Sequence, residues 1–192
     1  MKHDVIVALA ALGVVGQVVA GLIMLLGALA LAGARGPLDA VRGWLWGYEL
    51  WIAFLVAAVG TGGSLFFSQV AGFTPCEMCW FQRICMYPLS ILLLFLAFHG
   101  DNRAARYLFV FPLVGGCVSI YHLLEQNGVV KQTLQCSLSA PGGCATKWIN
   151  EFGYITIPTL ALTGFVLLIE FLVLSLAGSA GEADTLSADA VG

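Results

Sequence analysis

The chain has 192 residues, of which 60% are hydrophobic and only 10% charged, and its mean hydropathy is +0.94. A water-soluble domain carries about 25% charged residues, so this composition excludes one and places the chain in a lipid bilayer. Eight basic against eleven acidic residues leave a net charge of -3 without a basic patch, so nucleic acid has no electrostatic footprint here.

The charges are segregated. Uncharged apolar runs cover residues 5–34, 50–73, 84–98, 107–124 and 155–169, most of them near the roughly 20 residues a spanning helix needs. Five transmembrane helices are expected, hence an all-α integral membrane protein. The first run follows Lys2 and ends in "ALALAGA", which imitates a signal peptide with a small-residue cleavage site. Cleavage after Ala34 would leave Arg35 and Arg42 outside, and the run is about twice the usual apolar segment of a signal peptide. It is read instead as an extra N-terminal helix with its start outside, Gly13, Gly16, Gly21 and Gly27 suiting close packing in lipid. Residues 1–43 are then this helix and a cytoplasmic loop.

Arg35 and Arg42 in that loop, and Arg103 and Arg106 in "HGDNRAAR", make both loops cytoplasmic by the positive-inside rule. Alternation puts residues 72–80 and about 126–154 on the opposite face. Four of the six cysteines, Cys76, Cys79, Cys136 and Cys144, fall in these two gaps, whereas Cys85 and Cys117 fall inside apolar runs. An extracytoplasmic compartment is where disulfides form and persist.

The gap between the second and third apolar runs holds "TPCEMCWFQR". Thr74 as N-cap, Pro75 at the first helical position, Cys76 next and Glu77 completing a capping box would start a helix here. Cys76 and Cys79, three apart, then share a face that Arg83 extends four residues on. Free amides, the positive helix end and a guanidinium favour a thiolate, so the expected pair is a nucleophile or electron donor beside the membrane. Two other readings stand beside this one. A C-x-x-C is often half of a zinc site, with Cys136 and Cys144 as the other half, although seven residues separate those two and no set of groups to orient the thiolates is evident. The other is a purely structural disulfide clasp. A thioredoxin reading fails, because no βαβ pattern surrounds the motif.

The fourth run ends in "YHLLEQ", where His122 should lie at the depth of the C-x-x-C, either donating to a carbonyl ligand or facing headgroups. In the long polar gap Cys136 and Cys144 are flanked by Gln135, Ser137, Ser139 and "PGG", a chain free enough for exchange with a soluble protein and then with Cys76 and Cys79. Trp148, Ile149, Phe152 and Ile155 recur at helical spacing, as in a short interfacial helix. Glu170, inside the last run, is an intramembrane acid and so a functional candidate or a pairing group. Residues 178–192 are small and acidic, a disordered tail in composition.

Taken together, "CEMCWFQRICMYPL", "YHLLEQ" and a cysteine pair ending "CATKWINEFGYITIPTLAL" resemble the DsbB family of disulfide bond formation proteins, including its BdbC-like branch. The likeness covers roughly residues 44–177. It implies a four-helix transmembrane bundle in the bacterial inner membrane, to which the N-terminal helix is an addition. It also implies that electrons pass from a DsbA-like thioredoxin-fold oxidase to membrane quinone, ubiquinone or menaquinone. By the same resemblance Cys136 would accept the partner's thiolate, Cys144 would relay to Cys76, and Cys79 would face quinone with Arg83 beside it. His122 lies near a quinone-side histidine of the family. The short separation of Cys136 from Cys144 departs from the family pattern. The vitamin K epoxide reductase family also links two cysteine pairs to quinone, but there the loop pair precedes the C-x-x-C. A rival of another class is a non-enzymatic membrane scaffold held by zinc or disulfides.

Overall fold

The computed structural model describes residues 2–100, 102, 104–132, 136 and 142–189, the last twelve as backbone alone. Arg103, Gln135, Ser137, Ser139 and Pro141, which carry roles in the reading above, lie outside the described residues. Among the described residues five helices are long and apolar enough to cross a membrane, and the described chain is an all-helical multi-pass membrane protein. Helix α1 is Lys2–Leu31, a short α2 (Gly36–Leu45) links it to α3 (Glu49–Leu65), and a π-turn, Phe66–Val70, ends that span. Helix α4 is Glu77–His99, α5 (Ala105–Leu108) and α6 (Val110–Gln126) form one span, and α7 is Ile157–Asp189.

Helices α3, α4, α6 and α7 pack around a core of Ala53 and Ala57, Leu89 and Leu93, and Phe165, Leu168 and Leu172, all buried. Lipid is as apolar as these side chains, so close van der Waals contact holds the bundle rather than expulsion of water. Gly115 shows the requirement: a Cβ there would run into the ring of Phe165. Helix α1 lies on α7, with Gly13 under Leu160 and Gly16 against Thr163 and Leu167, while Gly21 and Gly27 meet nothing. Half of the glycine pattern thus packs helices. Gln17 secures the contact, donating from Nε2 to Thr163 Oγ1 at 3.2 Å and accepting from the Tyr154 hydroxyl at 3.0 Å.

Two expectations are corrected. Helix α4 begins at Glu77, with Cys76 as its N-cap (φ -77°, ψ 174°) and no side-chain cap bond, so Thr74 is two residues outside the helix and no Thr74–Glu77 box forms. The N-cap to N3 geometry is occupied by Cys76 and Cys79 instead. Residues 148–155 are not an interfacial helix: Gly153 (φ 80°) and Phe152 (φ 53°) turn the chain, and Glu151 and Ile155 exchange backbone bonds of 3.1 and 2.9 Å. Helix α7 runs on to Asp189.

Candidate functional site

By the up-and-down course of the spans, both cysteine pairs come to one end of the bundle, and Arg35, Arg42 and Arg106 to the other. Cys136 and Cys144 are joined in a disulfide with Cα atoms 5.5 Å apart. They pack with Cys76 in one buried cluster, Met78 and Cys79 against it. A stack of rings holds the two loops together: Phe67 lies on Phe73 (6.1 Å) and Phe73 on Trp148 (5.2 Å).

Cys76 and Cys79 are free, their sulfurs 3.0 Å apart, about 1 Å beyond the roughly 2.05 Å of a disulfide. The hydrogen bond to Cys79 and burial push the Cys76 thiol above its ordinary range, with His122 pulling the other way. A uniformly activated pair was expected; instead Cys76 is the proton-holding member. The helix start favours negative charge, but the hydrogen bond to Cys79 and burial outweigh it at Cys76.

The two cysteines face different surroundings. Cys79 and Arg83 line an apolar cavity of about 420 Å³, within the usual range for a ligand site. Its walls come from α1 (Leu12, Gly16), α3 (Val59, Gly63), α4 and α7. Arg83 is buried, and among the described residues no carboxylate pairs with it. Its Nε donates to Ser64 Oγ at 2.9 Å and its Nη2 to the Ser64 carbonyl at 3.0 Å, the Trp80 ring lying 5.3 Å from the guanidinium. Tyr87 donates to the same Ser64 hydroxyl at 3.2 Å. A cation so fixed and without a counter-charge offers its remaining N–H groups to an oxygen-bearing ligand.

His122 does not line that cavity. Its Nε2 is 3.1 Å from the Cys144 carbonyl and 3.6 Å from Cys76 Sγ, in a small pocket with Gln126, Gly143 and Thr146. The near carbonyl makes Nε2 the protonated nitrogen, and buried Nδ1 has no hydrogen-bond partner among the described residues. The histidine expected beside quinone therefore sits between the two cysteine pairs. Glu170 is buried on α7 and both its oxygens lack partners among the described residues; nothing here gives it a task.

Sequence reasoning missed two groups. Ser64, which fixes Arg83, carries no signal beyond being one serine in an apolar run. Glu125, whose Oε2 is 3.6 Å from Cys136 Sγ, stands three residues after His122 and so shares its helix face, a signal that was available.

A buried disulfide touching one cysteine of a C-x-x-C, whose other cysteine opens on a membrane cavity, defines a membrane thiol–disulfide oxidoreductase. The family model described as "Disulfide bond formation protein DsbB" matches residues 48–175, and the chain belongs to that family. It is 42% identical over 128 residues to disulfide bond formation protein C of Bacillus subtilis, covering 66% of this chain and 89% of that one. The probable disulfide formation proteins of Deinococcus radiodurans (37% identical, 65% and 86% covered) and Coxiella burnetii (35%, 67% and 87%) are also similar. No solved structure matches. Helix α1 lies outside the matched residues.

Proposed function

We propose that this oxidoreductase reoxidises an extracytoplasmic, DsbA-like thioredoxin-fold dithiol and delivers the electrons to membrane quinone. The observation that carries the reading is the division of the C-x-x-C: Cys76 packs against the Cys136–Cys144 disulfide, and Cys79 lines the apolar cavity. Cys136 accepts the partner's thiolate, Cys144 attacks Cys76, and the second electron pair site is Cys79.

The cavity fits a quinone, its walls being mostly apolar, with Cys79, Gln82 and Arg83 among the polar groups that line it. Gln82 is held by donating to Ser119 Oγ at 3.1 Å. When bound there, quinone supplies the two-electron acceptor that the four cysteines lack. Arg83 orients the oxygen-bearing ring beside Cys79, while the apolar walls keep water from the pair. His122 bridges Cys76 and the Cys144 carbonyl, holding the two pairs in register for exchange.

Cys76, Cys79 and His122 place their ligand atoms within 4.8 Å of one another, so zinc is the competing use of the same groups. A disulfide supplies no thiolates, and Cys136 and Cys144 are joined, which favours redox work. Purified protein in nanodiscs, mixed with a reduced thioredoxin-fold oxidase and short-chain ubiquinone or menaquinone, should oxidise one dithiol per quinone consumed. Stoichiometric zinc in that preparation, or no quinone consumption, would refute the proposal. With Val129→Cys, at an exposed position on the same end as the cysteine pairs, an impermeant thiol reagent applied to intact cells should label that position; no labelling would refute the outside orientation.

A further inference from the structure

The exchange chemistry needs protons moved at Cys136 as well as electrons, and one buried group is placed for it. Glu125 is 2% exposed at the end of α6. Its Oε2 lies 3.6 Å from Cys136 Sγ, and its Oε1 has no hydrogen-bond partner among the described residues. The ligand atoms of Glu125, Cys136 and Cys144 all lie within 4.8 Å of one another. The titratable groups around it are Cys136 and Cys144 from the loop, Cys76 from the start of α4 and His122 from its own helix; among the described residues no cation pairs with it. A carboxyl buried against a disulfide and otherwise unsatisfied costs stability, and a bonded sulfur offers it no proton. The contact becomes a hydrogen bond only when Cys136 is a thiol.

We propose that Glu125 is a catalytic residue, the proton donor and acceptor for Cys136 during disulfide exchange. This rests on the reading of Cys136–Cys144 as the pair that meets an external dithiol. In the forward half, a partner thiolate attacks Cys136, the Cys136–Cys144 bond breaks and Cys144 leaves as thiolate. The partner's second thiolate then closes the partner disulfide and expels Cys136, which takes a proton from Glu125. In the return half, Cys144 attacks Cys76 of the oxidised C-x-x-C and Cys79 leaves as thiolate. Cys136 gives its proton back to Glu125 as its sulfur attacks Cys144, re-forming Cys136–Cys144 and expelling Cys76. Two electrons have moved from the partner to Cys76 and Cys79, and Glu125 is unchanged. His122 serves the same face one turn earlier but reaches Cys76 and the Cys144 carbonyl, so the two groups do not duplicate each other.

The test uses the full chain in nanodiscs and dithiothreitol as the dithiol, with acid quenching, alkylation and mass spectrometry to follow Cys136 and Cys144. Glu125→Gln keeps the shape and removes the proton exchange. It should slow release of Cys136 from the mixed disulfide with dithiothreitol, and re-formation of Cys136–Cys144, by roughly 10²-fold at pH 7, the usual size of a general acid–base contribution. Its rate should rise with pH and approach the wild-type rate where Cys136 ionises unaided, and Glu125→Asp should recover part of the loss. A variant equal to wild type at pH 7, or one whose loss is the same at every pH, would overturn the role, the latter as a packing defect. Wild-type protein whose Cys136–Cys144 bond resists dithiothreitol would overturn the exchange reading itself and this role with it.

Discussion

The surroundings on the two sides of Cys76 are built to opposite rules. On the Cys79 side there is room: an apolar cavity of about 420 Å³ with one arginine fixed at its edge. On the Cys136–Cys144 side there is almost none, and the buried groups are polar, His122, Glu125 and Gln126. Electrons need only contact between sulfurs, but protons need buried donors and acceptors, and a lipid-soluble ligand needs hydrocarbon walls. The difference teaches which half of the reaction each side conducts. It also makes the halves separable by mutation.

The largest effect should come from removing a sulfur. Cys79→Ala should abolish quinone reduction while Cys136 is still open to attack by a partner thiolate. Cys136→Ala should abolish turnover with the partner protein yet leave Cys76 and Cys79 oxidisable by quinone, because thiol exchange and electron transfer to the ring are separate steps. Trapping of mixed disulfides and quinone absorbance read the two halves; two variants alike toward isolated quinone would erase the contrast.

Arg83 tests the cavity side next. Arg83→Ala should raise the apparent quinone KM about ten-fold, one charge at such a site being worth on the order of one to two kcal/mol. Arg83→Lys should be milder, since it keeps the charge and loses the planar fork. Ser64→Ala, which frees the guanidinium without removing it, should cost about three-fold by the same scale. Anchoring by Arg83 alone would instead lower stability and leave quinone kinetics of the folded protein unchanged.

A smaller effect is expected from α1, the wall outside the family match. Val15→Trp puts an indole into the cavity and should raise the quinone KM by about two- to three-fold. Dithiol exchange at Cys136–Cys144 should not change, as measured by the same trapping. Loss in both assays would mean that α1 supports the bundle as a whole rather than its cavity.

What could be read from the chain follows the same division. The spans were legible because charge is excluded from hydrocarbon whatever the packing, and the C-x-x-C with Arg83 because both lie within two turns of one helix. Cys136 and Cys144 were legible as a pair, since a polar gap between apolar runs has few other tasks for two cysteines. Contacts between distant segments were not legible. Ser64 meets Arg83 across 19 residues, and Phe73 meets Trp148 only because the loops fold onto each other. The helical spacing of residues 148–155 was a true pattern overridden by Gly153, whose positive φ turns the chain before a helix can form. The helix start was misplaced because Thr74 and Glu77 fit a capping box as well as Cys76 and Cys79 fit its geometry.

The smallest effect, and the most discriminating, concerns the Cys76 thiol at the boundary of the two sides. Its proton is held chiefly by the hydrogen bond to Cys79, then by burial, while His122 favours release. In the reduced protein the thiolate is therefore scarce below and around pH 9, where an ordinary cysteine with a value of 9.0 is half ionised. Alkylation of Cys76 should be slow there and should accelerate only as pH rises further. The same sign applies to stability: the unfolded chain releases this proton near pH 9 and the folded one later, so reduced protein loses stability as pH rises above about 9. Two variants should move the alkylation profile in opposite directions. Cys79→Ala removes the largest cause of retention and should bring the profile to lower pH. His122→Ala removes the opposing group and should carry it higher. Mass-resolved alkylation against pH in the reduced nanodisc protein distinguishes them. A common shift for both variants would mean that burial alone controls Cys76, and that His122 does not bridge the cavity side to the disulfide side.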